Sequence, residues 1–211
     1  MKIILFGDSI TDAGRFLSNA LPYYTYGFGY ARDIASALRW KNCSKYEIIN
    51  KGNSGNKIVN LYERVQADVW NLEPDVLSIL IGVNDVWHML AHNTGVDLKR
   101  YEKIYRALIE ETKERLPQIK LILCEPFFLR GTVTNELGYE KFSVVKEYAQ
   151  AVKRIAEEYG AAFLPLQEKF NVLAEKIGAE NCLSDGVHPT EIGAKLIADE
   201  WLKLFYEKID N

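Results

Sequence analysis

The 211-residue sequence predicts an α/β fold in which a parallel sheet carries helices on both faces. Three observations predict it. Short, mostly apolar runs alternate with longer stretches of helical periodicity along the whole chain. The first run, Lys2-Ile3-Ile4-Leu5-Phe6, is apolar at four of its five positions, as a strand buried on both faces requires. The polar, glycine-bearing segments fall after strands, where open α/β sheets bind their ligands.

The first strand runs directly into Gly7-Asp8-Ser9, and residues 11–25 read as a loop of small, polar and aromatic residues. Gly27 and Gly29 precede an amphipathic helix from Tyr30 to Leu38 that ends near Trp40. A second strand, Tyr46 to Asn50, meets the turn Lys51-Gly52-Asn53-Ser54-Gly55-Asn56, and Ile58, Leu61, Val65 and Val69 mark a helix over residues 58–70. The third strand, Asp75 to Ile81, leads into Gly82-Val83-Asn84-Asp85, and helical periodicity resumes over residues 98–116. The fourth, Lys120 to Cys124, stops at Glu125-Pro126 because proline cannot continue a central ladder. A loop around residues 130–137 precedes a helix reaching Tyr159, and Ala161 to Leu164 forms a short fifth strand. Helices over residues 167–177 and 191–208 flank the loop Asn181 to Pro189. No repeat, low-complexity tract or linker interrupts this order, so residues 1–211 are expected to form one domain.

Composition excludes several classes of function. A formal net charge of −3 gives no basic footprint for nucleic acid or an anionic membrane, and suits a neutral or polar substrate. No apolar stretch approaches the ~18 residues of a membrane span. The N-terminal apolar run is too short for a secretory signal. Cys43, Cys124 and Cys182 are odd in number and widely spaced, as reduced cysteines of a cytoplasmic protein are.

Ser9, at the carboxyl end of the first strand, is the candidate nucleophile. A serine hydroxyl needs a base, an orienting carboxylate and donors for a developing oxyanion. Of the three histidines, His188 lies in Asp185-Gly186-Val187-His188-Pro189, where Asp185 can reach the imidazole within one turn of backbone. The backbone N–H groups of Ser9 and Gly55 and the side-chain amide of Asn84 are the candidate oxyanion donors. Each segment also has a plainer reading: Gly-Asp-Ser and Asp-Gly are common turns, Gly52 and Gly55 can serve only the turn, and Asn84 can cap the following segment. His88 and His92 have the spacing of a zinc pair, but no neighbouring side chains complete a ligand set. The G-x-x-G of residues 52–55 falls short of a dinucleotide fingerprint. Asp8, Asp12, Arg15, Trp87 and His88 border these segments and are the candidate substrate contacts. Tyr23, Tyr24, Tyr26, Trp87 and Phe127 suit stacking on a sugar ring or packing in the core.

Four segments in order, Gly7-Asp8-Ser9-Ile10, Asn50-x-Gly52-x-x-Gly55, Gly82-x-Asn84-Asp85 and Asp185-x-x-His188-Pro189, resemble blocks I, II, III and V of the SGNH, or GDSL, hydrolases. The resemblance spans essentially the whole chain. It implies a flavodoxin-like three-layer α/β/α sandwich with a five-stranded parallel sheet. Ser9 would be nucleophile, His188 base and Asp185 its partner, with Ser9, Gly55 and Asn84 as oxyanion hole and no metal or organic cofactor. Longer matches, such as Gly7-Asp8-Ser9-Ile10-Thr11-Asp12-x-Gly14-Arg15 and Ile81-Gly82-x-Asn84-Asp85-Val86-Trp87, are similar to cytoplasmic bacterial acetylxylan esterases of this superfamily. That similarity implies homo-oligomers acting on small acetylated carbohydrates such as xylo-oligosaccharides. His88 stands where those enzymes are expected to carry an arginine. A thioesterase or short-chain lipid esterase with the same machinery, and a non-catalytic carbohydrate-binding protein, are the alternatives.

Overall fold

The computed structural model describes residues 1–17 and 21–210. In chain order the elements are β1 (Lys2–Gly7), α1 (Ser9–Asp12), α2 (Tyr30–Asn42), β2 (Glu47–Gly52), α3 (Ile58–Asp68), β3 (Val76–Leu80), α4 (Val83–His92), α5 (Leu98–Arg115), β4 (Lys120–Cys124), α6 (Thr132–Glu136), α7 (Tyr139–Phe142), α8 (Val145–Tyr159), β5 (Ala162–Leu164), α9 (Gln167–Ile177) and α10 (Glu191–Lys208). The five strands are all parallel, in the order β2-β1-β3-β4-β5. This is the flavodoxin-like order, with the strand direction of travel reversing at the β1/β3 crevice.

Burial follows sequence character. Central β1 and β3 are buried almost throughout, whereas edge strand β2 alternates, with Ile48 and Asn50 inward and Glu47 out. Helices α2 and α10 pack together over one face, and α3, α5 and α8 form a row over the other. On the α10 side, Trp201 Nε1 donates to Ser78 Oγ at 2.9 Å, so the large buried indole meets its one polar requirement at the middle of β3.

Several boundaries differ from expectation. Thr11 and Asp12 belong to the helical turn α1, and a 3₁₀ turn occupies Pro22–Tyr26; residues 18–20 of the expected loop lie outside the described residues. Asp8 Oδ1 starts α1 by accepting the Ile10 N–H at 2.9 Å, and Ala13 at φ 43° ends it, so the helix is too short to show a period. Strand β2 runs two residues past Asn50, because Gly52 pairs in register with Gly7. The expected loop at 130–137 contains α6, and the helix beyond it is interrupted between α7 and α8.

Candidate active site

Gly7 ends β1 where no side chain fits: a Cβ there would lie 2.3 Å from Thr11 Oγ1 and 2.5 Å from the Leu80 carbonyl. The chain therefore turns tightly, and Ser9 is the first residue of α1. Ser9 Oγ lies 2.9 Å from His188 Nε2, and His188 Nδ1 lies 2.7 Å from Asp185 Oδ2. The other carboxylate oxygen of Asp185 accepts the backbone N–H groups of Val187 and His188, both at 2.8 Å, which fixes the loop on itself. Gly186, at φ +95°, gives the loop its reversal.

This loop is seated on the segment before α6. Leu129 N–H donates to the Gly186 carbonyl at 2.9 Å and Val133 N–H to the Asp185 carbonyl at 3.1 Å. A Cβ on Gly131 would fall 2.2 Å from the Asp185 carbonyl carbon, so the two backbones meet with no room between them.

Hydrogen bonding sets the charges. Burial pushes the Asp185 carboxyl up, but the bonds from His188 and Val187 outweigh it and hold the group at about 2. The Asp185 bond in turn raises the His188 pKa above the usual imidazole value, against the opposing effect of burial. Asp8 is 1% exposed, and its Oδ2 has no hydrogen-bond partner among the described residues. Burial pushes this carboxyl up to about 7, opposed by the Ile10 N–H and the charge of His188.

Gly55, at φ +79°, follows β2 with open space around its Cα, and its N–H makes no hydrogen bond among the described residues. Asn84 is buried in the first turn of α4, where it donates one amide proton to the Asn56 carbonyl at 3.1 Å. An amide carries two such protons, so a second remains for another acceptor. Asp85 accepts the Ile58 N–H at 3.1 Å and ties α4 to the start of α3. Arg64, on α3, gathers the strand ends: Nη2 donates to the carbonyls of Gly7 (3.0 Å) and Lys51 (2.9 Å), and Nε to Asn56 Oδ1 (2.8 Å). Its charge is met by Asp68, which Lys51 also contacts, and its guanidinium lies over the Phe6 ring.

Residues 5–196 match the GDSL-like Lipase/Acylhydrolase family. The chain belongs to that family. It is 32% identical over 215 residues to an acetylxylan esterase of Geobacillus stearothermophilus, covering 96% of this chain and 92% of that one. The solved structure of that esterase, Axe2, superposes with a TM-score of 0.84 at 31% identity, covering 96% of this chain and 93% of that one. A GDSL-like lipase-type protein from Parabacteroides merdae superposes with a TM-score of 0.89 at 38% identity, covering 98% and 96% of the two chains. Like its GDSL relatives, this chain is an ester hydrolase with a five-stranded parallel sheet between helices. Among the described residues no helix is long and apolar enough to cross a membrane.

Within this GDSL fold the other expected substrate contacts are differently placed. Asp8 is enclosed beneath the turn that it caps, away from solvent. Asp12 accepts from Ser54 N and Oγ (3.2 and 2.8 Å), and Arg15 Nε donates to the Gly52 carbonyl at 2.7 Å, so both brace the β2 turn. Trp87 is half-buried, its ring centroid 5.9 Å from that of His188. His88 meets His92 edge to face at 5.8 Å, its pKa lowered by burial and by nearby Lys57 and His92. Phe127 is wholly buried against Phe170 and belongs to the core, whereas Tyr23 and Tyr24 are exposed. Arg64 and Gly131 gave no sequence signal, since an arginine on an amphipathic helix and a glycine in a loop are ordinary.

Proposed function

We propose that this ester hydrolase removes O-acetyl groups from carbohydrates, in particular xylo-oligosaccharides, through a covalent acyl-enzyme on Ser9. The observation that carries the reading is the continuous Asp185–His188–Ser9 hydrogen-bonded chain, in a protein 32% identical to an acetylxylan esterase. Solved structures of that relative include catalytic mutants in which a serine, an aspartate or a histidine is replaced by alanine, the three residue types of this chain.

In the first half-reaction Ser9 Oγ bonds to the acetyl carbonyl carbon while its proton passes to His188 Nε2. The carbonyl oxygen becomes an oxyanion held by the N–H groups of Ser9 and Gly55 and the free amide proton of Asn84. The bond from the carbonyl carbon to the sugar oxygen then breaks, and the His188 proton passes to that oxygen. Water repeats the sequence on the acetyl-serine, giving up a proton to His188, and acetate leaves as Ser9 recovers it. Asp185, ionised throughout, orients the ring and stabilises the imidazolium. The unpaired thiols of Cys43, Cys124 and Cys182 support a cytoplasmic setting.

The test is acetate release from acetylated xylo-oligosaccharides and monosaccharides, beside 4-nitrophenyl esters and acyl thioesters of increasing chain length, with Ser9→Ala in parallel. Fastest turnover of acetylated sugars by wild type and none by Ser9→Ala is the expected result. Preference for longer acyl chains or for thioesters would replace it with a lipid esterase or thioesterase, and acetate release by Ser9→Ala would remove the acyl-enzyme.

A further inference from the structure

A cleft of about 250 Å³ opens beside Ser9 and His188, lined further by Ile10, Phe28, Pro189 and Glu191. It lies below the ~300–1,000 Å³ of sites for drug-sized ligands, so it takes one ring-sized group rather than a long chain. Neither Gly55 nor Asn84 lines it. In the proposed reaction the oxyanion faces those two donors, while the departing oxygen must face His188 to receive its proton. A cleft on the His188 side of Ser9 is therefore on the alcohol side of the ester.

Phe28 is the unusual part of its wall. It is 62% exposed, yet its backbone is held on both sides. Its N–H donates to the Ala13 carbonyl at 2.8 Å. Gly27, at φ +76°, comes so close to α1 that a Cβ would lie 2.3 Å from the Asp12 carbonyl oxygen, and a Cβ on Gly29 would lie 2.8 Å from that of Ala13. Two glycines in tight contact thus fix a phenylalanine whose ring stays largely in water. A fixed, exposed aromatic face beside a small cleft is the chemistry that binds the apolar C–H face of a pyranose. Glu191 also lines the cleft and forms no side-chain hydrogen bond or ion pair among the described residues, so its carboxylate is free to accept from ring hydroxyls.

We infer that this cleft is the subsite for the sugar that carries the scissile acetyl group, with Phe28 as its stacking platform and Glu191 as a hydroxyl acceptor. The inference rests on the carbohydrate-esterase reading and adds the residues that select for sugar.

The test compares acetylated xylobiose with ethyl acetate, which share an acyl group and differ in the alcohol, for wild type, Phe28→Ala and Phe28→Tyr. Loss of a stacking contact of about 0.5–1.5 kcal/mol corresponds to roughly two- to tenfold in affinity. For Phe28→Ala the ratio of kcat/KM for acetylated xylobiose to that for ethyl acetate should fall by that factor, through KM, and Phe28→Tyr should restore it. An unchanged ratio, with wild type active on the sugar, overturns the role of Phe28 and leaves the carbohydrate-esterase reading standing. Wild type that cleaves ethyl acetate but not the sugar overturns both. A changed preference between ethyl butyrate and ethyl acetate in Phe28→Ala would place the acyl group in the cleft instead. A change in sedimenting mass on Phe28→Ala with the ratio intact would make Phe28 a contact between two copies.

Discussion

Arg64 Nη2 donates to the Gly7 carbonyl at 3.0 Å, two residues before Ser9. The same guanidinium holds the Lys51 carbonyl and the side chain of Asn56, whose own carbonyl accepts from Asn84. One side chain outside the reacting centre thereby joins the ends of β1 and β2 and the segment beside Gly55.

Arg64→Lys keeps the charge but cannot span these acceptors, because an ammonium lacks the planar fork. Displacements near 1 Å at a reacting centre cost about 10²-fold. The expected outcome is a fall in kcat of about 10- to 100-fold at temperatures well below unfolding, with KM changed far less. Steady-state kinetics beside thermal melts of both proteins check it; a lowered melting temperature with kcat intact would confine Arg64 to stability.

Asn84→Ala removes one proposed oxyanion donor and should lower kcat by about 10²- to 10³-fold. Both this variant and Asn84→Asp lose the bond to the Asn56 carbonyl, but Asn84→Asp keeps the volume and aims oxygens at the oxyanion. Single-turnover acylation of a 4-nitrophenyl ester reads the effect directly, and a rate near wild type in both variants would take Asn84 out of the reaction.

The pH–rate profile should rise to a plateau as His188 loses its proton. Asp185 raises the His188 pKa above the ordinary imidazole value, so half-maximal kcat/KM lies above that value in wild type. Asp185→Asn should move the midpoint to lower pH and reduce kcat by about 10⁴-fold, the size of the corresponding loss in a serine protease triad. Profiles of both proteins on one ester give both quantities.

Asp8 titrates near 7 in the fold, against 3.8 for an ordinary aspartate. A carboxyl with a raised native pKa contributes stability that is fully present below its unfolded pKa and lost as pH rises through the native one. Wild type should therefore lose stability between about pH 4 and 7 through this group, by up to about 4 kcal/mol. Asp8→Asn retains an oxygen for the Ile10 N–H and removes the titration. Its urea midpoint should exceed that of wild type at pH 8 and approach it at pH 5, and a constant difference across the range would contradict the assignment.

The strands were legible because β1, β3 and β4 are dense in apolar residues and end at glycine or proline, signals confined to a few neighbouring positions. The segments bearing Ser9, Gly55, Asn84 and His188 were legible for the same reason: each motif is local. What could not be read depends on distant parts of the chain meeting. Arg64 matters because the Gly7–Gly52 register sets two carbonyls side by side, and Gly131 because its backbone abuts Asp185. The burial of Phe127 depends on Phe170, which lies far away in sequence. Turn α1 leaves no periodic signal in the sequence because four residues cannot display a 3.6-residue period.

Ser9 and His188 are separated by 179 positions of chain. At about 5–20 residues per second, the ribosome delivers the serine roughly 9–36 s before the histidine. On the proposed mechanism, the nascent chain throughout that interval carries the hydroxyl without its base and cannot begin acyl transfer. Two fragments cut within residues 130–137 would each be inert on the proposed mechanism, one holding Ser9, Gly55 and Asn84, the other Asp185 and His188. Ester hydrolysis would return only on their reassembly, which makes the activity itself a readout of long-range chain closure.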